Sequence, residues 1–229
     1  LTAEQALVEA SRCLDCPNPT CVTGCPVNIN IPSFIKNIQR EHFDDAARVL
    51  RDTSALPAVC GRVCPQERQC ESQCIYHKMK KEPIAIGWLE RFAADAARRE
   101  DKGEHTVTAL AADAPRIAVA GSGPSGLSFA GAMAALGYRV TVFEALHEIG
   151  GVLKYGIPEF RLPNEIVDYE IANLRAAGVE FHTDTVIGKT LSYEDLKAQG
   201  FVGLFVASGA GLPRFMGIPG ENLIGIMSS

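Results

Sequence analysis

The chain of 229 residues predicts an α + α/β fold, a small all-α domain followed by a domain of alternating strands and helices. Two observations carry this. All eight cysteines (Cys13, Cys16, Cys21, Cys25, Cys60, Cys64, Cys70 and Cys74) fall in the first third, among segments with helical spacing. After Pro115 short apolar runs alternate with helical ones, the pattern of βαβ units around a parallel sheet.

In order, "TAEQALVEASR" has helical spacing, with Thr2 as N-cap and Gln5 three residues on. "IPSFIKNIQREHFDDAARVLRDTS" reads as two short helices, the first starting after Pro32. "PIAIGWLERFAADAARRE" reads as a longer helix with Pro83 at its first position. "DKGEHTVTALAADAP" is polar and Ala-rich without a period, and reads as a linker. Beyond it, "RIAVAG", "YRVTVFEA", "VEFHTD" and "FVGLFVAS" read as strands, and "PSGLSFAGAMAALG" and "PNEIVDYEIANLRAAG" as helices. No internal repeat or low-complexity tract is present.

A net charge of −5 argues against nucleic acid, because an acidic surface repels phosphates. No apolar run reaches the ~18 residues that a membrane span needs, so no membrane partner is expected. No basic-then-apolar leader opens the chain, and a cytoplasmic, reducing compartment is expected. In that compartment thiols stay reduced unless they bind metal or do redox chemistry, so metal ligation is preferred over disulfides.

"CLDCPNPTCVTGCP" has the spacing C-x₂-C-x₄-C-x₃-C-P, denser than the separated pairs of structural zinc sites. It is similar to the bacterial ferredoxin run, where three close thiolates wrap a 4Fe–4S cube and the cysteine before proline turns to another cluster. Cys64 is likewise followed by Pro65. The expectation is an iron–sulfur domain with two 4Fe–4S clusters over residues 1–103, a linker over 104–115, and a Rossmann-like domain over 116–229.

"GSGPSG" sets Gly121, Gly123 and Gly126 in the G-x-G-x-x-G pattern between a strand and a helix, and the next strand ends in Glu144. The glycines let backbone approach a pyrophosphate at a helix N-terminus, and Glu144 can accept from adenosine ribose hydroxyls. An acid there argues against NADP at this site; the fingerprint itself does not separate FAD from NAD.

Taken together, "CLDCPNPTCVTGCPVNINIP", "LPAVCGRVCPQERQCESQC", "PIAIGWLERF", "AGSGPSGLSFA", "VTVFEA" and "GGVLKYGIPEFRLP" resemble the small subunit of NADPH-dependent glutamate synthase and its relatives. Those relatives include the amino-terminal part of dihydropyrimidine dehydrogenase and the large subunit of bifurcating ferredoxin:NADP oxidoreductase. The resemblance covers essentially the whole chain and implies an electron-transfer subunit that passes electrons from NADPH through FAD and two 4Fe–4S clusters. It implies that Cys13, Cys16, Cys21 and Glu90 hold one cluster, that Cys25, Cys64, Cys70 and Cys74 hold the other, and that Cys60 is close by without being a ligand. The Glu90 cluster would lie nearer the flavin. Without the resemblance, Glu90 reads as a solvated helix carboxylate.

It further implies a partial FAD-binding domain, with FAD along Gly121, Ser122, Gly123, Pro124, Ser125, Gly126, Glu144, Gly150, Gly151, Val152, Arg161 and Val186. No catalytic acid, base or nucleophile is implied, because the chemistry would belong to the cofactors. The implied partner is the large catalytic subunit of glutamate synthase or an equivalent electron acceptor, and self-association as a homo-oligomer stays open. The chain starts at Leu1 and ends at "LIGIMSS" soon after the last strand, so it reads as an N-terminal portion without the NADPH site. NADPH would then bind only the longer protein, and this portion alone would be inactive. A bifurcating or other reductase subunit, or a non-catalytic fragment, are the competing readings.

Overall fold

The computed structural model describes residues 1–101, 110–211 and 216–225. Residues 102–109, which include the first half of the expected linker, lie outside the described residues. The first domain contains α1 (Ala3–Ser11), α2 (Thr20–Thr23), α3 (Ile31–Gln39), α4 (Phe43–Arg51), α5 (Pro57–Val63), α6 (Ile75–Lys78) and α7 (Ile86–Glu100). Two short 3₁₀ turns, Gln66–Arg68 and Glu71–Gln73, carry the chain between the later cysteines.

Helix α1 starts where its capping box predicts: Gln5 N–H donates to Thr2 Oγ1, and the Gln5 side chain accepts from Thr2 N–H. Helix α3 begins at Ile31, so Pro32 sits inside the first turn rather than before it. The larger revision is at α7. Its N-cap is Ala85, and Pro83 lies outside the helix. The reason is long-range capping: Ala85 N–H donates to Glu9 Oε1 at 2.8 Å and Gly87 N–H to Glu71 Oε1 at 2.9 Å. Two carboxylates from other elements thus satisfy the free amides at the positive end of the helix.

The second domain contains β1 (Arg116–Ala120), α8 (Pro124–Ala135), β2 (Arg139–Phe143), α9 (Val152–Tyr155), α10 (Asn164–Ala176), β3 (Glu180–His182), α11 (Tyr193–Ala198) and β4 (Phe201–Val206). All described pairings are parallel and the strand order is β3-β2-β1-β4. That is the 3-2-1-4 arrangement of a Rossmann-like sheet, whose ligand crevice lies beyond the carboxyl ends of the strands. Leu196 of α11, with Ala118, Phe143 and Phe201, fills one face of the sheet.

The two domains share a core. Leu56, Ala58, Val59 and Ala94 of the helical domain pack in one buried cluster with Leu127, Ile166, Ile171 and Leu174 of α8 and α10. At the centre of this seam Glu170, fully buried, accepts from Ala58 N–H at 2.7 Å, so an α10 carboxylate caps α5. Arg62, its side chain 4% exposed, pairs with Asp95 at 2.7 Å and ties α5 to α7.

Candidate functional site

The cysteines fall into two groups by their neighbours, and all eight are free thiols. Cys13, Cys16, Cys21 and Cys74 line a cavity of about 180 Å³ whose apolar wall includes Ile31, Ile35, Ile84 and Ile86. Burial, reinforced by the charge of Cys74 and Cys13, pushes the Cys21 thiol up to about 11. Cys13 is raised for the same first reason, burial.

In the second group Cys60 lies on α5 and Cys64 caps its C-terminal end, and α5 packs against α7. A Cβ on Gly61 would stand 2.7 Å from the Arg91 backbone, so only glycine lets the helices approach this closely. The preceding residues on each helix, Cys60 and Glu90, are thereby neighbours, and Cys64 lies one turn along α5 from Cys60. Burial first, then the Glu90 charge, pushes Cys60 up to about 12 and Cys64 to about 11. Cys70 is raised by burial, Glu71 and Glu90, with Cys25 and Cys64 adding to it. Glu90 is 5% exposed, its Oε1 has no hydrogen-bond partner, and burial raises its carboxyl to about 8.

The neighbourhoods differ in two places from the ligand sets that the family resemblance implies. Cys74 stands with Cys13, Cys16 and Cys21; Glu90 stands with Cys25, Cys64 and Cys70. Two tethers explain the first change: Thr20 Oγ1 donates to Gln73 O, and Tyr76 Oη donates to Arg12 O at 3.0 Å. They bind the turn around Cys74 to the loop carrying Cys13 to Cys21. Glu90 goes to the other group because its face of α7 is the one that α5 covers.

Do these residues suit iron–sulfur clusters? Among the described residues no three His, Cys, Asp or Glu side chains converge on one point. Cys13, Cys16, Cys21 and Cys74 instead line the wall of one cavity. Each shift has the sign that a bound cationic centre reverses, because iron stabilises thiolate and carboxylate against burial. The unpartnered buried oxygen of Glu90 lacks only such a centre. The donor set fits.

In the second domain the glycine loop has a division of labour. Gly121 has φ +106° and a Cβ there would meet Ala207 O at 2.4 Å; one on Gly126 would meet Gly121 O at 2.0 Å. These two glycines close the turn onto β4 and seat α8 against β1. A Cβ on Gly123 would meet nothing within 4 Å, which leaves its backbone open to a ligand. Pro124 and Ser125 are exposed at the start of α8, and no side chain caps that helix end.

Glu144 and Ser122 are both buried and bonded to each other. Glu144 Oε2 accepts from Ser122 N–H at 2.8 Å and from Ser122 Oγ, and Oε1 accepts from Leu146 N–H at 3.0 Å. Gly150 N–H donates to Ser122 Oγ at 2.9 Å, and a Cβ on Gly151 would stand 2.8 Å from Gly123 Cα. Ser122 thus fastens Glu144 and the Gly150–Gly151 loop to the glycine turn. Val152 begins α9 and is exposed, as is Arg161. Val186 follows Thr185, whose N–H donates to Glu144 O, so it lies on the same rim, but its own N–H is taken by Thr190 Oγ1.

Glu170 was not expected. A signal for it exists: buried Ile166, Val167, Ile171 and Leu174 form a helical stripe, and Glu170 occupies a place within it.

Residues 1–102 match the family model described as dihydropyrimidine dehydrogenase domain II, 4Fe-4S cluster. The helical domain is thus similar to that 4Fe-4S family over its whole length. Residues 119–183 match the NAD(P)-binding Rossmann-like domain. The 4Fe-4S domain and its Rossmann-like neighbour recur together in curated relatives. The NAD-dependent dihydropyrimidine dehydrogenase subunit PreT of Escherichia coli O157:H7 is 39% identical over 92% of this chain and 51% of its own length. The glutamate synthase [NADPH] small chain of Azospirillum brasilense is 33% identical over 99% of this chain and 46% of its length. The putative oxidoreductase UacF of Escherichia coli K12 is 34% identical over 100% of this chain and 36% of its length. The chain is homologous to these proteins and spans about half the length of the first of them, or less. No helix among the described residues is long and apolar enough to cross a membrane.

Proposed function

We propose that this chain is the cluster-bearing and dinucleotide-binding part of an NAD(P)H-dependent electron-transfer oxidoreductase subunit of the glutamate synthase small-chain type. The observation that carries the reading is the shared core of the two domains, which sets the Glu90 thiol group on the same helices, α5 and α7, that pack against the Rossmann-like unit. Cys13, Cys16, Cys21 and Cys74 would hold one 4Fe–4S cluster; Cys25, Cys64, Cys70 and Glu90 would hold the other. FAD would lie at the Gly121–Gly126 turn, with Glu144 and the Gly150–Gly151 loop around it. When bound, these groups supply the conversion between two-electron and one-electron transfer.

The chain's own residues position and insulate. Glu170 fixes α5 across the seam and Arg62 ties it to α7, so that Cys64 keeps its place relative to the second domain. Apolar Ile31, Ile35 and Ile84 keep water from the outer thiol group. The inner group then stands nearer the dinucleotide and the Cys13 group faces outward to an acceptor. That acceptor would be a large catalytic subunit of glutamate synthase type. A second acceptor is favoured by one observation: the PreT relative is more similar, at 39%, than the A. brasilense glutamate synthase small chain, at 33%, so the partner would then be that of a dihydropyrimidine dehydrogenase subunit.

The test is metal and acid-labile sulfide analysis after anaerobic preparation. About eight iron per chain with matching sulfide is expected for two cubes. Stoichiometric zinc without sulfide overturns the reading.

A further inference from the structure

The outer thiols open onto an exposed face. Cys13, Cys16, Cys21 and Cys74 share their cavity wall with Leu14, Ile75 and Lys78. Leu14 is 56% exposed and Ile75 37%; Met79, whose N–H donates to Ile75 O at 3.1 Å, is 50% exposed. Around these apolar side chains the charge is positive. Lys78, Lys80 and Lys81 are exposed, and among the described residues none of the three is paired with a carboxylate. The exposed acids on the same two segments, Asp15 and Glu82, do not cancel three lysines, and Arg12 is already paired with Glu9 at 2.6 Å. The whole chain carries −5, so this patch runs against its overall charge.

The lysine turn is held in place. Lys80 N–H donates to His77 O at 3.0 Å and Lys81 N–H to Tyr76 O at 2.9 Å, which folds the chain back on α6. Arg12 donates to Glu82 O at 2.6 Å and to Pro83 O at 3.3 Å, and Tyr76 Oη donates to Arg12 O at 3.0 Å. The lysines are thereby fastened to the loop that carries Cys13 and Leu14.

Resting on the cluster reading above, we propose that this face docks an acidic electron-accepting protein. Lys78, Lys80 and Lys81 meet its carboxylates, and Leu14, Ile75 and Met79 meet its apolar centre. An apolar centre within a charged rim is the layout of a specific protein interface, and opposite charge speeds the encounter. The same contact that recognises the partner brings it to the mouth of the Cys13 cavity. Charge steers such encounters over distances where shape does not act, so a carrier with an acidic rim makes this contact whatever its fold. A lipid surface fits the face less well, because α6 has four residues and cannot lie along a membrane as an amphipathic helix does.

The experiment titrates an acidic [2Fe–2S] ferredoxin into the anaerobically prepared, cluster-loaded chain. Calorimetry gives the affinity, and carbodiimide, which joins lysine amines to touching carboxylates, gives the site after mass spectrometry. Binding should weaken steeply as salt rises from about 0.01 to about 0.5 M, with cross-links at Lys78, Lys80 or Lys81. The triple variant Lys78→Gln, Lys80→Gln, Lys81→Gln should bind about tenfold more weakly at low salt, with iron content and melting temperature unchanged. No binding at low salt, cross-links confined to other lysines, or a triple variant that binds as the parent does overturns the inference. So does tighter lysine-dependent binding to phosphatidylserine vesicles than to ferredoxin, which makes the face a membrane contact. Parent protein with zinc and no sulfide would instead defeat the cluster reading, whereas about eight iron per chain without ferredoxin binding defeats the docking inference alone.

Discussion

Removing the Glu170 side chain should loosen the seam between the domains, and its two simplest variants should do opposite things. Glu170 is fully buried, and its Oε1 accepts the Ala58 N–H at 2.7 Å while Asn173 Nδ2 approaches Oε2 at 3.4 Å. In Glu170→Ala the Ala58 amide loses its partner in a place water does not reach, which costs about 1–3 kcal/mol. The void left by the side chain adds on the order of 1 kcal/mol. Loss of a buried carboxylate returns part of this, because burial, the largest influence, raises its pKa against the opposing Ala58 bond and the Arg51 charge. A net loss of about 2 kcal/mol is expected, or a fall in Tm of roughly 4–8 °C for a chain of this size. Glu170→Gln keeps an acceptor for Ala58 and removes the charge. With the folded pKa above the unfolded one, the folded protein holds the proton longer, so the contribution of Glu170 is complete below the unfolded value and declines as pH rises toward the folded one. Glu170→Gln should therefore equal the parent near pH 4 and gain on it as pH rises from about 4.3. Thermal unfolding followed by circular dichroism across pH 4 to 8 measures both. A Gln variant as damaged as the Ala variant, or a parent–Gln difference that ignores pH, would refute the reasoning.

The glycine turn and the partition of the thiols give two more tests. Gly126→Ala places a Cβ 2.0 Å from Gly121 O and should cost stability as well as dinucleotide binding, whereas Gly123→Ala, open to 4 Å, should leave Tm unchanged and weaken FAD binding alone; titration calorimetry and a melting curve on each variant separate the two. Cys74→Ser should release the outer group only: alkylation mapped by mass spectrometry should find Cys13 and Cys16 newly labelled and Cys64 and Cys70 still protected. The reverse labelling would return Cys74 to the inner group.

Local signals carried the sequence reading where one segment decides the outcome. The Thr2–Gln5 capping box, the Gly121–Gly126 turn and the four parallel strands each depend on neighbours within a few residues or on one period, and each is where the sequence puts it. The start of α7 is different. Pro83 is a good local signal for a first helical position, but Glu9 and Glu71, far away in sequence, supply the partners that fix the start at Ile86.

The same distinction governs the thiols. Spacing groups Cys13, Cys16 and Cys21, because three close cysteines on one loop can reach one body, and it separates Cys25 from them. It is silent on which later residue comes back to which group. That is settled by tethers between elements, such as Tyr76 Oη on Arg12 O for Cys74, and by the close approach of Gly61 to Arg91 for Glu90. A carboxylate at position 90 looks like surface in a sequence because most are. Its burial follows from which face of α7 meets α5, and that face is selected by a glycine twenty-nine positions earlier, whose missing side chain is visible in the sequence but whose neighbour is not. The candidate donors are thus legible residue by residue, and which of them become neighbours is a property of the packed helices.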